Sequence, residues 1–90
     1  MVTLHLPASH SLKDKRQVIR SLAERLRRQF NVAVAEVEEQ DTWQTAVLGL
    51  AVVSNEAGHA ERQIDRIVEA IEQTRLDAEV VDRHVDVVSM

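Results

Sequence analysis

Near the start of the chain, Val2, Leu4 and Leu6 alternate with Thr3 and His5. A period of two is that of a half-buried strand. Pro7 ends it, because it has no N–H to donate to a ladder. After a loop of Pro7 to His10 the period changes. Leu12, Val18, Ile19, Leu22, Ala23, Leu26 and Phe30 recur at helical spacing, and at 100° per residue they cover one continuous side. The spacing predicts an amphipathic helix from about Leu12 to Gln29. Ser11 is its expected N-cap, with Asp14 three residues on as an imperfect capping-box partner, and Asn31 its expected C-terminal stop.

Asn31 to Glu39 follows as a second strand carrying Val32, Val34 and Val37. Its apolar positions change parity between Val34 and Val37, which points to a bulge or an exposed edge. The polar run Glu38 to Thr42 is a hairpin connection. Trp43 to Val53 is a long third strand, with Leu48, Leu50 and Val52 on one face and Val47, Gly49, Ala51 and Val53 on the other. Ser54 or Asn55 is the expected cap of a second helix, about Ala57 to Thr74, striped with Ala60, Ile64, Ile67, Val68 and Ile71. In a last strand, about Glu79 to Val88, Val81, Val85 and Val87 alternate with Asp82, His84 and Asp86.

The element order is βαββαβ. Two helices cover one face of a four-stranded antiparallel sheet, so the expected fold is an α+β ferredoxin-like sandwich, one domain over residues 1–90. Right-handed crossovers place the first and third strands at the centre and make the first and last strands neighbours. The second sheet face then has no helix over it. On the third strand that face carries Val47, Ala51 and Val53, none of them polar, so the expectation is a homodimer that covers it. The competing reading is that small β-branched residues tolerate partial exposure.

Composition removes several functions. The chain has no cysteine, so disulfides, thiolate metal sites and cysteine nucleophiles are excluded. Its two aromatics, Phe30 and Trp43, exclude recognition built on aromatic platforms, including base stacking on the central strands of an RNA-recognition motif. The only glycines are Gly49 and Gly58, so there is no glycine-rich phosphate loop. No apolar run approaches 18 residues and no signal-peptide pattern opens the chain; a cytoplasmic protein with no membrane partner is expected. His5 and His84, near Asp82 and Asp86, have metal-competent chemistry, but their spacing matches no ligand motif and they read as exposed strand residues. His10 beside Ser9 and Ser11 is not a catalytic geometry. His59 reads as exposed in the first turn of the second helix. No catalytic residue, metal or cofactor is expected, and the protein reads as non-enzymatic.

Charge is the informative quantity. The formal net charge is −4. Residues 1–30 nevertheless hold seven basic and two acidic side chains, while residues 31–90 hold four basic against thirteen acidic. On the first helix Lys13, Arg16, Arg20 and Arg27 fall within an arc of about 60° beside the apolar stripe. Such a ridge is either a phosphate contact surface or a solvated face with Glu24 at pairing distance from Arg20 and Arg27.

Three blocks carry a family resemblance: His5-Leu6-Pro7 leading into Ser11-Leu12-Lys13-Asp14-Lys15-Arg16; Phe30-Asn31-Val32-Ala33-Val34-Ala35-Glu36-Val37 through Gln40-Asp41-Thr42-Trp43-Gln44; and Ala51-Val52-Val53-Ser54-Asn55. In this order and spacing they resemble the YlxP-like family of small bacterial proteins, over nearly the whole chain. The resemblance implies the same βαββαβ fold. It also implies, through genes for transcription elongation, translation initiation and ribosome maturation often found nearby, an accessory role linked to RNA or the ribosome. Two departures stand out. Relatives start several residues earlier, which implies incomplete pairing at the start of the central strand. Arg83 stands where they often place an aromatic, so it must reach the edge if Val81 and Val85 face the core.

With the resemblance, Lys13, Lys15 and Arg16 become candidate anion ligands at the positive end of the first helix. Otherwise their block caps and orients that helix. The expected RNA-binding set is Lys13, Lys15, Arg16, Arg20 and Arg27. Trp43 is either a partner anchor or a cover for the open end of the core. The alternative function is a homodimeric protein-interaction or small-ligand regulatory module using the uncovered sheet face.

Overall fold

The computed structural model describes residues 1–39, 41–74 and 78–86. Six elements follow in chain order: β1 (Val2–His5), α1 (Leu12–Gln29), β2 (Ala33–Glu38), β3 (Thr45–Ala51), α2 (Ala57–Gln73) and β4 (Glu79–Arg83). The strands form one antiparallel sheet in the order β2-β3-β1-β4. This is the expected ferredoxin-like α+β arrangement. Helix α1 lies toward the β2 edge and α2 toward the β4 edge. Val2, Leu4, Leu6, Ala46 and Leu48 of the central strands meet Ile19, Leu22 and Leu26 of α1 and Ile67, Val68 and Ile71 of α2 in one buried core.

The helix ends differ from expectation in chemistry more than in place. Ser11 does cap α1, its Oγ accepting from the Asp14 N–H at 3.1 Å. The Asp14 carboxylate reaches one residue further back than a capping box requires and accepts from the His10 N–H at 3.1 Å. At the other end Phe30, not Asn31, is the C-cap. Its backbone turns extended and its ring packs against the core. Neither Ser54 nor Asn55 caps α2. The N-cap is Glu56, without a side-chain bond, and Ser54 Oγ instead accepts from the Glu56 N–H in a local turn.

Two bulges decide which side chains face the helices. In β2, Glu36 pairs with Leu48 and Glu38 with Val47, so Val37 is the extra residue. The parity change legible at Val34 and Val37 is this bulge. It keeps Glu36 on the helix side and lays Val37 on the open face above Gly49, where a Cβ would come within 2.9 Å of Val37 Cγ1. In β4, Thr3 pairs with Asp82 and Leu4 with Val80, leaving Val81 unpaired. The expected inward alternation of Val81 and Val85 is therefore wrong. Val80 packs on the core, Val81 and Val85 are exposed, and Val87 lies outside the described residues. Arg83, opposite Val2, extends from the sheet edge to Asp65 of α2 at 2.6 Å. At the start of β1, Met1 donates its amino group to the His84 carbonyl and accepts from the His84 N–H, so this end of the central strand is paired.

Lys15 is fully buried in the first turn of α1. Its Nζ lies 2.8 Å from Glu36 Oε2 and donates to the carbonyls of Glu39 at 2.7 Å and Thr45 at 3.3 Å. A buried ammonium needs oxygens close by, and the carboxylate and the two carbonyls supply them. Both arms of the β2–β3 hairpin are thus fastened to α1. The tie also holds Glu39 in the left-handed region, φ 57°, where a non-glycine residue needs support.

Replacing Lys15 with Met should cost about 3–5 kcal/mol, because a buried carboxylate and two carbonyls lose their donor. Adding Glu36→Leu should recover part of that loss. Urea denaturation of the single and double variants measures both, and a single variant within about 1 kcal/mol of the parent contradicts the tie. Gly49→Ala should destabilise by roughly 1 kcal/mol through overpacking against Val37. In a Val37→Ala background the same change should be neutral or stabilising. An equal effect in both backgrounds contradicts the close contact.

Candidate nucleic-acid interface

The basic side chains of α1 separate into two groups. Lys13, Arg16, Arg20 and Arg27 are exposed, whereas Lys15 is inside. Lys15 therefore does not belong to an anion-binding set, contrary to expectation. Helical phase explains it: Lys15 precedes Ile19 by four residues, Leu22 by seven and Leu26 by eleven, the spacing of one apolar stripe. The positive helix end is not open to a phosphate as expected either, since Asp14 brings its own carboxylate there.

What remains is a row along the middle of the helix. Arg16, Arg20 and Arg27 line an open groove of about 260 Å³ between α1 and the edge strand β2, floored by Ile19, Ala23 and Val34. Arg27 donates to the Val34 carbonyl at 2.7 Å, covering one outward-facing acceptor of the edge. Glu24, the carboxylate within reach of Arg20 and Arg27 by sequence, lies instead 3.9 Å from Arg28. Among the described residues no carboxylate pairs with Lys13, Arg16 or Arg20. Three adjacent cations are thereby left to solvent on one side of the helix.

Of the expected dimer residues, Val47 and Ala51 share the open face of β3. Val47 is only 5% exposed within the single chain. Ala51 ends β3, and Val53 lies beyond it, 92% exposed. Val47 is covered by the chain itself, whereas Ala51 and Val53 are exposed. Trp43 is 54% exposed and stands outside the core cluster, so it does not seal the open end of the core.

The histidines are dispersed. His5 lies opposite Glu79, with Nδ1 3.8 Å from its carboxylate. His84 meets Met1 at the other end of the same strand pair and approaches Asp86 at 3.2 Å. Four strand residues separate the two ends, roughly 13 Å. Among the described residues no cluster of three or more metal-ligating side chains occurs. No described helix is long and apolar enough to cross a membrane.

Two residues that matter here escape a reading by residue type. Glu36, the partner of Lys15, looks like an exposed strand position until the bulge fixes its parity. Asp65, the partner of Arg83, is joined to it only by the packing of α2 on β4.

The chain is similar to the uncharacterized protein YlxP of Bacillus subtilis (strain 168), with 37% identity over 62 residues that cover 69% of this chain and 67% of that protein. Residues 1–85, which include every described element, match the family described as "Protein of unknown function (DUF503)". The chain therefore belongs to the DUF503 family.

Proposed function

We propose that this protein is a non-enzymatic accessory factor that binds RNA or ribonucleoprotein through the exposed face of α1. The observation that carries this reading is the row Lys13, Arg16 and Arg20, exposed and without a carboxylate partner among the described residues, continued by Arg27 at the groove. Cations packed along one helix repel one another, and each gains by meeting an anion. A polyanion with regularly spaced charge satisfies several of them at once and releases its own counterions on doing so. The acidic remainder of the chain confines this attraction to one face and disfavours contact elsewhere. The alternative reading, a homodimer through the open sheet face, would rest on the exposed Ala51 and Val53, since Val47 is covered within one chain.

Four cations on this row should give a log-affinity against log-salt slope of about −2.8 for single-stranded RNA. Arg16→Ala with Arg20→Ala should bring the slope to about −1.4 without changing the unfolding midpoint by more than a few tenths of a molar in urea. Filter binding or anisotropy across a salt series measures this. Affinity that does not respond to salt, or a slope unmoved by the double substitution, contradicts the proposal.

A further inference from the structure

Trp43 lies in the connection between β2 and β3 with more than half its surface in water. Neighbouring bonds fix where that connection sits. Gln44 donates its side-chain amide to the carbonyls of Pro7 and Ser9, in the loop that leads into α1. Thr45 accepts from Lys15 Nζ, in the first turn of α1. The indole therefore stands at the end of the molecule where α1 begins, the end that also carries Lys13 and Arg16. Keeping a ring of this size in contact with water forgoes the stabilisation that burial would give, and Trp43 contributes nothing to the core.

Building on the RNA-binding reading above, we propose that Trp43 stacks on an unpaired base of single-stranded RNA whose phosphates follow Lys13, Arg16 and Arg20. An exposed indole and an unpaired cation row ask for different halves of one ligand. The cations take the backbone, and the ring takes a base face. Inside a duplex both faces of a base are already covered by its neighbours, so the ring selects single strands, ends or loops. Along the helix Lys13 precedes Arg16 by about 4.5 Å and Arg16 precedes Arg20 by about 6 Å, so the row leads away from the indole as a strand would. The low aromatic count limits this to one base rather than excluding it, because Phe30, the other aromatic, is packed against the core. One stacking step reads no sequence, since every base has a π-face. An exposed Trp is also a common anchor for protein partners, but the bare cations at the same end favour a polyanion.

Trp43 is the single tryptophan of the chain, so its emission reports on this site alone. The test titrates the full chain with a short oligouridylate, and with the same strand annealed to oligoadenylate, following RNA anisotropy and tryptophan emission together. The proposal expects emission to be quenched by the single strand in step with anisotropy, and little affected by the duplex. Trp43→Ala should weaken single-strand binding roughly 5- to 150-fold while leaving the salt slope unchanged, because an indole neutralises no phosphate. Trp43→Phe should restore most of the affinity. Steep salt-dependent binding with unquenched emission and unaltered affinity in Trp43→Ala overturns the stacking and leaves the RNA reading standing. Equal quenching by both RNAs overturns the single-strand selectivity and with it the proposal. Absence of salt-dependent binding to either RNA overturns both readings.

Discussion

A buried ammonium organises this molecule. Removing a lysine head group from water costs several kcal/mol, and the cost is met only where oxygens are waiting in the right places. Lys15 finds the Glu36 carboxylate and the Glu39 and Thr45 carbonyls. Those acceptors come from both arms of the β2–β3 hairpin and from the residue with left-handed backbone between them. The hairpin thus has one geometry in which the charge is satisfied, and α1 has one rotation that delivers it. An apolar residue at this position would bury as well but would fix neither. A buried polar contact of this kind specifies an arrangement more than it adds to stability.

The functional surface follows from that rotation. With Lys15, Ile19, Leu22 and Leu26 inward, the 100° step of the helix turns Arg16, Arg20 and Arg27 toward the β2 edge. There they serve two ends. Arg27 covers a carbonyl of an edge strand that would otherwise invite another strand. Arg20 stays unpaired because Glu24 lies beside Arg28 instead, and no described carboxylate pairs with Arg16. The same hairpin that receives Lys15 carries Trp43 outward at the start of α1. Core, edge protection and candidate interface are consequences of one helical phase.

Much of this is legible in the sequence, for physical reasons that differ by element. The bounds of α1 follow from the 3.6-residue stripe and from Ser11, since both act locally. Strand order follows from crossover handedness, and the structure has it. The bulge at Val37 is readable because no valine adjoins another in this strand, so a change of parity shows. The bulge at Val81 is not, because Val80 and Val81 are adjacent and either can face the core. Lys15 is the instructive case. Its position in the stripe is plain, but its charge suggests a surface, and only the acceptors of the distant hairpin reverse that expectation. The exposure of Val47 and the partners of Glu24 and Arg83 depend likewise on contacts between elements, which no local pattern encodes.

The sequence holds two lysines, two positions apart on the same helix turn. Their contrast is the most direct test of the division of α1 into a buried tie and an exposed cationic face. Reductive methylation of the folded protein, read residue by residue by peptide mass analysis, compares Lys13 and Lys15 under identical conditions. The account predicts that Lys13 is modified readily and that Lys15 stays unmodified until the protein is denatured, when the two react alike. Equal modification of both lysines in the folded protein would contradict it.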